Sequence, residues 1–295
     1  MNEFKNYHPI VNLLYFAAVI TFSMFIMQPI WLAISLVCGF TYSVMLGKKK
    51  TLKSHVLYLL PLILAMALIN PAFNHEGVTI LSYFPNGNPL TLESIAYGVA
   101  AATMISGILC HFSCFNQIMT SDKLIYLFGK ITPAFSLILS MIFRFVPRFK
   151  AQTETVRNAQ KCVGRDASNG SIFQRMKNGL KILSVMITWS LENAIDTADS
   201  MRSRGYGLPN RTAFSNFRFD RRDGWTMLLL AVLTVYVLIG KISHALCFQY
   251  FPSLKGAALT PYNISLIAAY ALLCGMPILI EIKEALRWKK LKSKL

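Results

Sequence analysis

The residues best placed to do chemistry stand at 194–207, read A-I-D-T-A-D-S-M-R-S-R-G-Y-G. Arg202 and Arg204 fall in what the pattern predicts to be the last turn of a helix, and Gly205 follows them. Glycine readily takes the left-handed conformation that ends many helices, and cations in the last turn suit the negative end of the helix dipole. The chemistry on offer is recognition: guanidinium groups at the tip of a rod, suited to an acidic or carbonyl-lined groove on another protein. Other clusters offer less. Cys110, His111 and Cys114 form C-H-x-x-C without a fourth metal ligand nearby, and packing is the plainer reading. Gly47-Lys48-Lys49-Lys50 lacks the preceding glycine and the strand of a phosphate loop. There is no H-E-x-x-H, no G-x-S-x-G and no carboxylate cluster suited to acid–base work. No catalytic residue, cofactor or metal site is expected. A membrane enzyme would have only the Cys110, His111 and Cys114 patch to draw on.

The elements that must carry such a tip are largely apolar. Of 295 residues 54% are hydrophobic and only 15% charged, against about 25% charged in soluble domains. The expected fold is an all-α polytopic membrane protein with about six transmembrane helices and long cytoplasmic amphipathic helices. A net charge of +17 would suggest nucleic acid in a soluble protein; in a membrane chain it marks cytoplasmic loops, and no nucleic-acid partner is expected. Apolar runs at 10–27, 30–46, 55–73, 92–112, 225–239 and 264–280 approach the ~20 residues that cross a bilayer. Three regions follow: 1–112 with four spans, 113–222 in the cytoplasm, and 223–295 with two spans and a basic tail. With the N-terminus inside, Lys241 and Lys255 alone among 30 Lys and Arg lie outside, as the loop-charge bias demands, and both termini are cytoplasmic. Residues 1–8 lead into a full span without a cleavage pattern, so no removable leader is expected. The six cysteines are dispersed and imply no disulfide framework.

Region 113–222 holds 17 Lys and Arg against 7 Asp and Glu. Its apolar patches at 131–143 and 182–191 are too short to span. The expected helices are 122–143, bent by Gly129 and Pro133, then 147–163, then 173–204. On the third, Ile187, Leu191, Ala194, Ala198 and Met201 recur at helical spacing. Glu192, Asp196 and Asp199 share another face, which reads as solvated or as pairing Asp199 with Arg202. Glu93, Glu281 and Glu284 sit at span ends. A self-contained ion-coupled carrier generally needs ionisable groups near the midplane, so the energy is expected to come from another chain. The alternative is a stand-alone carrier or channel with a cytoplasmic regulatory segment.

Four motifs in order, Tyr7-His8-Pro9, Asn88-Pro89-Leu90-Thr91-Leu92-Glu93 with Tyr97-Gly98, Arg144-Phe145-Val146-Pro147 and Asn210-Arg211-Thr212, carry a family resemblance. The chain resembles, over nearly its full length, the transmembrane T component (EcfT, or CbiQ in cobalt systems) of energy-coupling factor transporters. The resemblance implies a bacterial or archaeal cell-membrane ABC importer for vitamins or metal ions. It also implies two ABC ATPase subunits below the bilayer and a substrate-binding S component beside this chain within it. In that family each of two A-R-G motifs ends a coupling helix and inserts its arginine into one ATPase. The second is here as Ser203-Arg204-Gly205, with Arg202 adjacent. The first falls at Ala159-Gln160-Lys161-Cys162-Val163-Gly164. There Ala159, Gln160 and Gly164 agree with A-Q-x-A-R-G, and Val163 stands in the arginine's place. Arg165 is one position late and is a candidate substitute, with Lys161 and Arg157 as alternatives. The ATPase-binding set implied is Arg204, Ser203, Gly205, Arg202, Ala159, Gln160, Gly164 and Arg165.

Overall fold

His8 and Pro9 open the first long helix. The His8 Nδ1 accepts from the Ile10 N–H at 3.3 Å, and Pro9 at the first helical position supplies a pre-set φ without wasting a donor. Helix α1 then runs Pro9–Phe25. In this computed structural model residues 3–83, 85, 87–165, 171–208, 217–243, 245–256 and 260–292 are described, save the side chains at 48–52, 54, 130, 131, 133 and 134. Asn210-Arg211-Thr212 lies outside the described residues.

Helix α2 is helical throughout Pro29–Phe73, yet it folds back on itself. The Ser43 Oγ and His55 Nε2 are 2.6 Å apart, whereas twelve residues of straight helix separate two positions by about 18 Å. Leu36 and Leu64 line the same apolar cleft between the two arms, about 600 Å³ in volume. The arms Pro29–Gly47 and His55–Phe73 are thus two spans, and the lysine-rich 48–50 stretch falls at the reversal. Helices α3 (Leu92–Ile118), α7 (Arg221–Ile242) and α8 (Pro261–Lys292) complete the apolar set. The fourth span runs further than its apolar stretch implied, to Ile118.

Small residues set how closely these helices pack. A Cβ at Gly98 of α3 would lie 2.9 Å from the Met66 carbonyl oxygen and 3.4 Å from the Ala67 Cα of α2. Deeper in, Ser23, Ser35, His111 and Tyr270 form a buried polar chain, with steps of 2.6, 3.2 and 3.1 Å for Ser23–Ser35, Ser35–His111 and Ser23–Tyr270. Trp31 stacks on Tyr270 at 4.2 Å. The Cys114 thiol points to the Gly39 carbonyl at 3.8 Å, so the C-H-x-x-C residues serve contact between α2 and α3. Among the described residues no three His, Cys, Asp or Glu side chains cluster as a metal site.

The two ends of this bundle are distinct. At one, loop 74–79 is tied to the start of α3: Glu93 accepts from the Thr79 hydroxyl at 2.8 Å, Ser94 donates to the Asn74 carbonyl at 2.7 Å, and Thr91 caps the helix. The short antiparallel pair β1 (Ile80–Tyr83) and β2 (Pro89–Thr91) closes that loop. A second pair, β3 (Phe248–Gln249) and β4 (Lys255–Gly256), lies at the same end, where the Val78 N–H reaches the Pro252 carbonyl at 3.1 Å. The P-L-T-x-E motif is therefore a fastening for a loop. At the other end gather residues 3–8, Lys123, Asp223 and Glu281.

By internal contacts the chain divides into two compact units, 1–123 with 217–295, and 124–216. The second unit carries most of helix α4 (Ser121–Ile131), then α5 (Pro133–Cys162) and α6 (Ile172–Ser203). Two expectations are corrected. The first helix does not bend through to 143 but stops at Thr132, where Pro133 begins a new one, and Ser136 Oγ hooks back to the Ile125 carbonyl at 3.0 Å. Pro147 begins nothing; α5 passes through it. An internal proline costs one helical hydrogen bond, but Phe145 and Phe149 on either side line the cleft against α6, with Phe149 edge-on to Trp189, and packing overrides the local preference.

Replacing Gly98 with valine is expected to destabilise the fold by about 1–3 kcal/mol, the usual cost of overpacking. Gly275, with open space at its Cβ position, is expected to accept alanine without loss. Thermal unfolding of the detergent-purified variants reads both.

Candidate functional site: two capped helix tips

Helices α5 and α6 cross. Phe149 meets Trp189 edge-on at 5.4 Å, and the Arg148 guanidinium lies 5.5 Å over the same indole. Ile142 to Phe149 face Ser190 to Ala194 on one side, and Phe149 and Thr153 face Gly179 to Ile187 on the other. Partners advance along α5 as they retreat along α6, so the helices run in opposite senses. From the Phe149–Trp189 contact, α5 continues 14 residues to Val163 and α6 continues 15 to Arg204. Each arm is about 21–23 Å of helix.

The two arms end in the same way. At the tip of α5, Gly164 has φ +75, its N–H donates to the Lys161 carbonyl at 3.0 Å, and the Arg165 N–H donates to the Gln160 carbonyl at 2.9 Å. At the tip of α6, Gly205 has φ +77, its N–H donates to the Arg202 carbonyl at 2.9 Å, and the Tyr206 N–H donates to the Met201 carbonyl at 2.9 Å. Both are Schellman caps, in which a left-handed residue lets two amides recover orphan carbonyls of the last turn. Only glycine holds that φ without a Cβ penalty.

Equivalent caps allow the tips to be compared position by position. Gly164 matches Gly205, and Val163 matches Arg204. Arg165 matches Tyr206, so it stands one place beyond the position that carries Arg204. Val163 is 67% exposed and Leu208, beside the second tip, also 67%. Arg202, Ser203, Arg204, Ala159 and Arg165 are exposed, Gly205 and Gln160 half-buried. No carboxylate lies within ion-pair distance of Arg202, Arg204 or Arg165 among the described residues. Asp199 does not pair with Arg202. The structure thus brings the eight sequence-derived residues to two tips, Arg204, Ser203, Gly205 and Arg202 on one and Ala159, Gln160, Gly164 and Arg165 on the other. Tyr206 and Leu208 were missed: Leu208 covers the cap, 2.9 Å from where a Gly205 Cβ would stand. Apolar residues straight after the glycine were the available signal.

The rest of this unit is unusually apolar on its outside. The stripe of α6 that periodicity marked is left largely open by α5, with Ile187 51% and Leu191 61% exposed, and Ile195 beside it is 63% exposed. Along α5, Phe135, Ile138, Ile142, Phe143 and Val146 are exposed as well. Contiguous exposed apolar surface of this kind marks contact with protein or lipid.

Five helices long and apolar enough to cross a membrane, a shorter sixth, and a pair of crossed helices with capped tips define a polytopic helical membrane protein. Comparison with known proteins sharpens this. The family model CbiQ, "Cobalt transport protein", matches residues 2–214, and the chain belongs to that family, the transmembrane components of energy-coupling factor transporters. Similar proteins include the energy-coupling factor transporter transmembrane protein EcfT of Lacticaseibacillus paracasei, 36% identical over 105 residues, 35% of this chain and 40% of that one. EcfT of Lactococcus lactis is 31% identical over 104 residues, 35% and 39% of the two chains. EcfT of Streptococcus thermophilus is 33% identical over 104 residues, again 35% and 39%. The chain therefore spans about two fifths of the length of the curated relatives it matches.

Substituting Gly205 with alanine forces a Cβ into left-handed backbone at a cost of about 1–2 kcal/mol. Hydrogen exchange at Gly205 and Tyr206 is expected to quicken about 5- to 30-fold. Gly179 sits inside α6 with open space at its Cβ position, so Gly179→Ala is expected to slow exchange along the same helix.

Proposed function

We propose that this chain is the transmembrane coupling subunit of an ECF-type importer, transmitting the motion of two cytoplasmic ABC ATPases to a membrane-embedded substrate-binding S component. The observation that carries the reading is the pair of matched caps at the ends of two crossed arms of nearly equal length. A rigid cross gripped at both tips changes its angle when the gripping bodies approach each other. ATP binding draws the ATPases together, the arms rotate about the Phe149–Trp189 contact, and the exposed apolar faces of α5 and α6 bear on the S component. The curated relatives are named as transmembrane proteins of such transporters, which supports the reading.

The ATPase contacts are assigned to Arg204 with Arg202, Ser203 and Gly205 on one tip, and to Ala159, Gln160, Gly164 and Arg165 on the other. The tips are unequal. Arg204 enters its groove from the cap position; the other groove meets Val163 there, and Arg165 supplies charge from the next position. The cargo is a vitamin or a metal ion, selected by the S component. The end bearing residues 3–8, Lys123 and Asp223 faces the cytoplasm of a bacterial or archaeal cell, because nearly all Lys and Arg then lie inside.

Truncating one partner of a desolvated charge contact typically costs about 2–5 kcal/mol. Arg204→Ala is therefore expected to lower ATPase co-purification at least tenfold, since about 1.4 kcal/mol is a factor of ten, while leaving membrane insertion intact. Co-purification at the wild-type level would sink the assignment. Arg165→Ala is expected to give a smaller but measurable loss, and no change there would remove Arg165 from the interface.

A further inference from the structure

The proposed function makes no use of the cleft between the arms of α2 or of the lysines at its reversal. The cleft encloses about 600 Å³, within the ~300–1,000 Å³ usual for small-molecule sites. Its walls come from both arms, Leu36 to Thr41 on the first and His55 to Leu64 on the second. The second arm is fastened at two points. At the reversal, Ser43 Oγ and His55 Nε2 are 2.6 Å apart. Towards the other end, Asn70 donates to the Ser94 carbonyl of α3 at 2.6 Å, and Gly98 of α3 leaves room for the Met66 carbonyl. Between these fastenings Val56, Leu60 and Leu64 are 49%, 55% and 56% exposed. The arm His55–Phe73 is also the least covered of the five long spans.

Polarity is graded along the cleft. Thr41 and His55 are the polar residues of its lining, and both stand near the reversal; away from it the walls are Leu36, Val37, Ile63 and Leu64. From His55 to Leu64 the helix advances about 13–14 Å, close to half of the ~30 Å hydrocarbon core. The cleft is therefore about one leaflet deep. Beyond its polar end come Lys48, Lys49, Lys50 and Lys53, and no Asp or Glu occurs between Glu3 and Glu76, so the reversal has no carboxylate of its own. Lys53 is exposed and, among the described residues, enters no ion pair.

We propose that the α2 cleft is a binding site for an anionic phospholipid, with an acyl chain lying between the two arms and the headgroup phosphate at the lysine-rich reversal. A phospholipid is graded in the same sense and over the same depth as the cleft. Its chain gains from burial against the aliphatic walls, and its net negative charge gains from lysines at the membrane surface. A zwitterionic lipid of the same chains fills the walls equally well but brings no net charge to the reversal. The preference for anionic lipid therefore resides in the lysines, and the capacity to hold a chain in the cleft. The site lies within the membrane unit 1–123 with 217–295 and does not depend on the coupling reading.

Native mass spectrometry of the full chain tests this, after delipidation in detergent and addition of equal amounts of dioleoylphosphatidylglycerol and dioleoylphosphatidylcholine. The wild type is expected to retain phosphatidylglycerol with about tenfold or greater preference, since each lysine contributes a few-fold. Lys48→Gln, Lys49→Gln, Lys50→Gln and Lys53→Gln combined are expected to abolish the preference while a lipid is still retained. Leu60→Trp, at an exposed position of the cleft wall, is expected to lower retention of both lipids about fivefold or more. Leu68→Trp, 74% exposed on the same arm and outside the cleft lining, is expected to leave retention unchanged. Equal retention of the two lipids by the wild type, or a preference that survives the combined glutamine substitutions, would overturn the headgroup assignment. Wild-type retention in Leu60→Trp would overturn the cleft as the seat of the chain. In native membranes, a benzophenone photo-cross-linker in place of Val56 is expected to give lipid adducts; a protein adduct instead would assign the cleft to another subunit and overturn the lipid site.

Discussion

Burying a lysine, an aspartate and a glutamate at one end of an apolar bundle is costly unless each finds partners, and here the partners are backbone groups of one short turn. Glu281, Asp223, Lys123 and Asn12 reach the stretch 4–8 from four different helices. Much else depends on that meeting. It ties together the start of α1 at His8, the first turn of α7 at Asp223 and the middle of α8 at Glu281. Tyr7-His8-Pro9 is thereby explained in physical terms. Tyr7 lies beneath Arg222, His8 caps α1 and offers its N–H to Asp223, and Pro9 starts the helix without an unsatisfied donor.

The crossed pair α5 and α6 carries two tips built to one plan. The caps are alike down to which carbonyl each amide recovers. What differs is the side chain each cap presents. An arginine offers planar, charged, multiply donating recognition; a valine in the same position offers only apolar surface. A partner that gripped both tips identically would be poorly matched to this chain. The exposed apolar faces along α5 and α6 fit the same picture, since such surface is retained where another molecule covers it.

The spans were legible in the sequence because hydropathy is a local property. The runs at 30–46 and 55–73 proved to be the arms of one folded-back helix, and the lysines between them marked the reversal. The ends of the two helices were legible too, since a glycine after a cationic last turn suits the left-handed cap seen at Gly164 and Gly205. Legibility failed where the deciding contact was distant. Pro147 looked like a helix start, and only the packing of Phe145 and Phe149 towards α6 shows why α5 continues. Lys123 and Asp223 carried no pattern at all, because their partners lie 118 and 215 residues away. The shift of Arg165 relative to Arg204 could be counted in the sequence, but its meaning needed the two caps side by side.

The central claim is that this chain takes its energy from two ATPases gripping its tips. Mass spectrometry of the intact complex purified through this chain, in gentle detergent from native membranes, tests that most directly. The account predicts two ATP-binding-cassette subunits bound per copy of this chain, with a small membrane protein travelling alongside. A particle containing this chain alone, able to carry solute across vesicles without ATP, would contradict it.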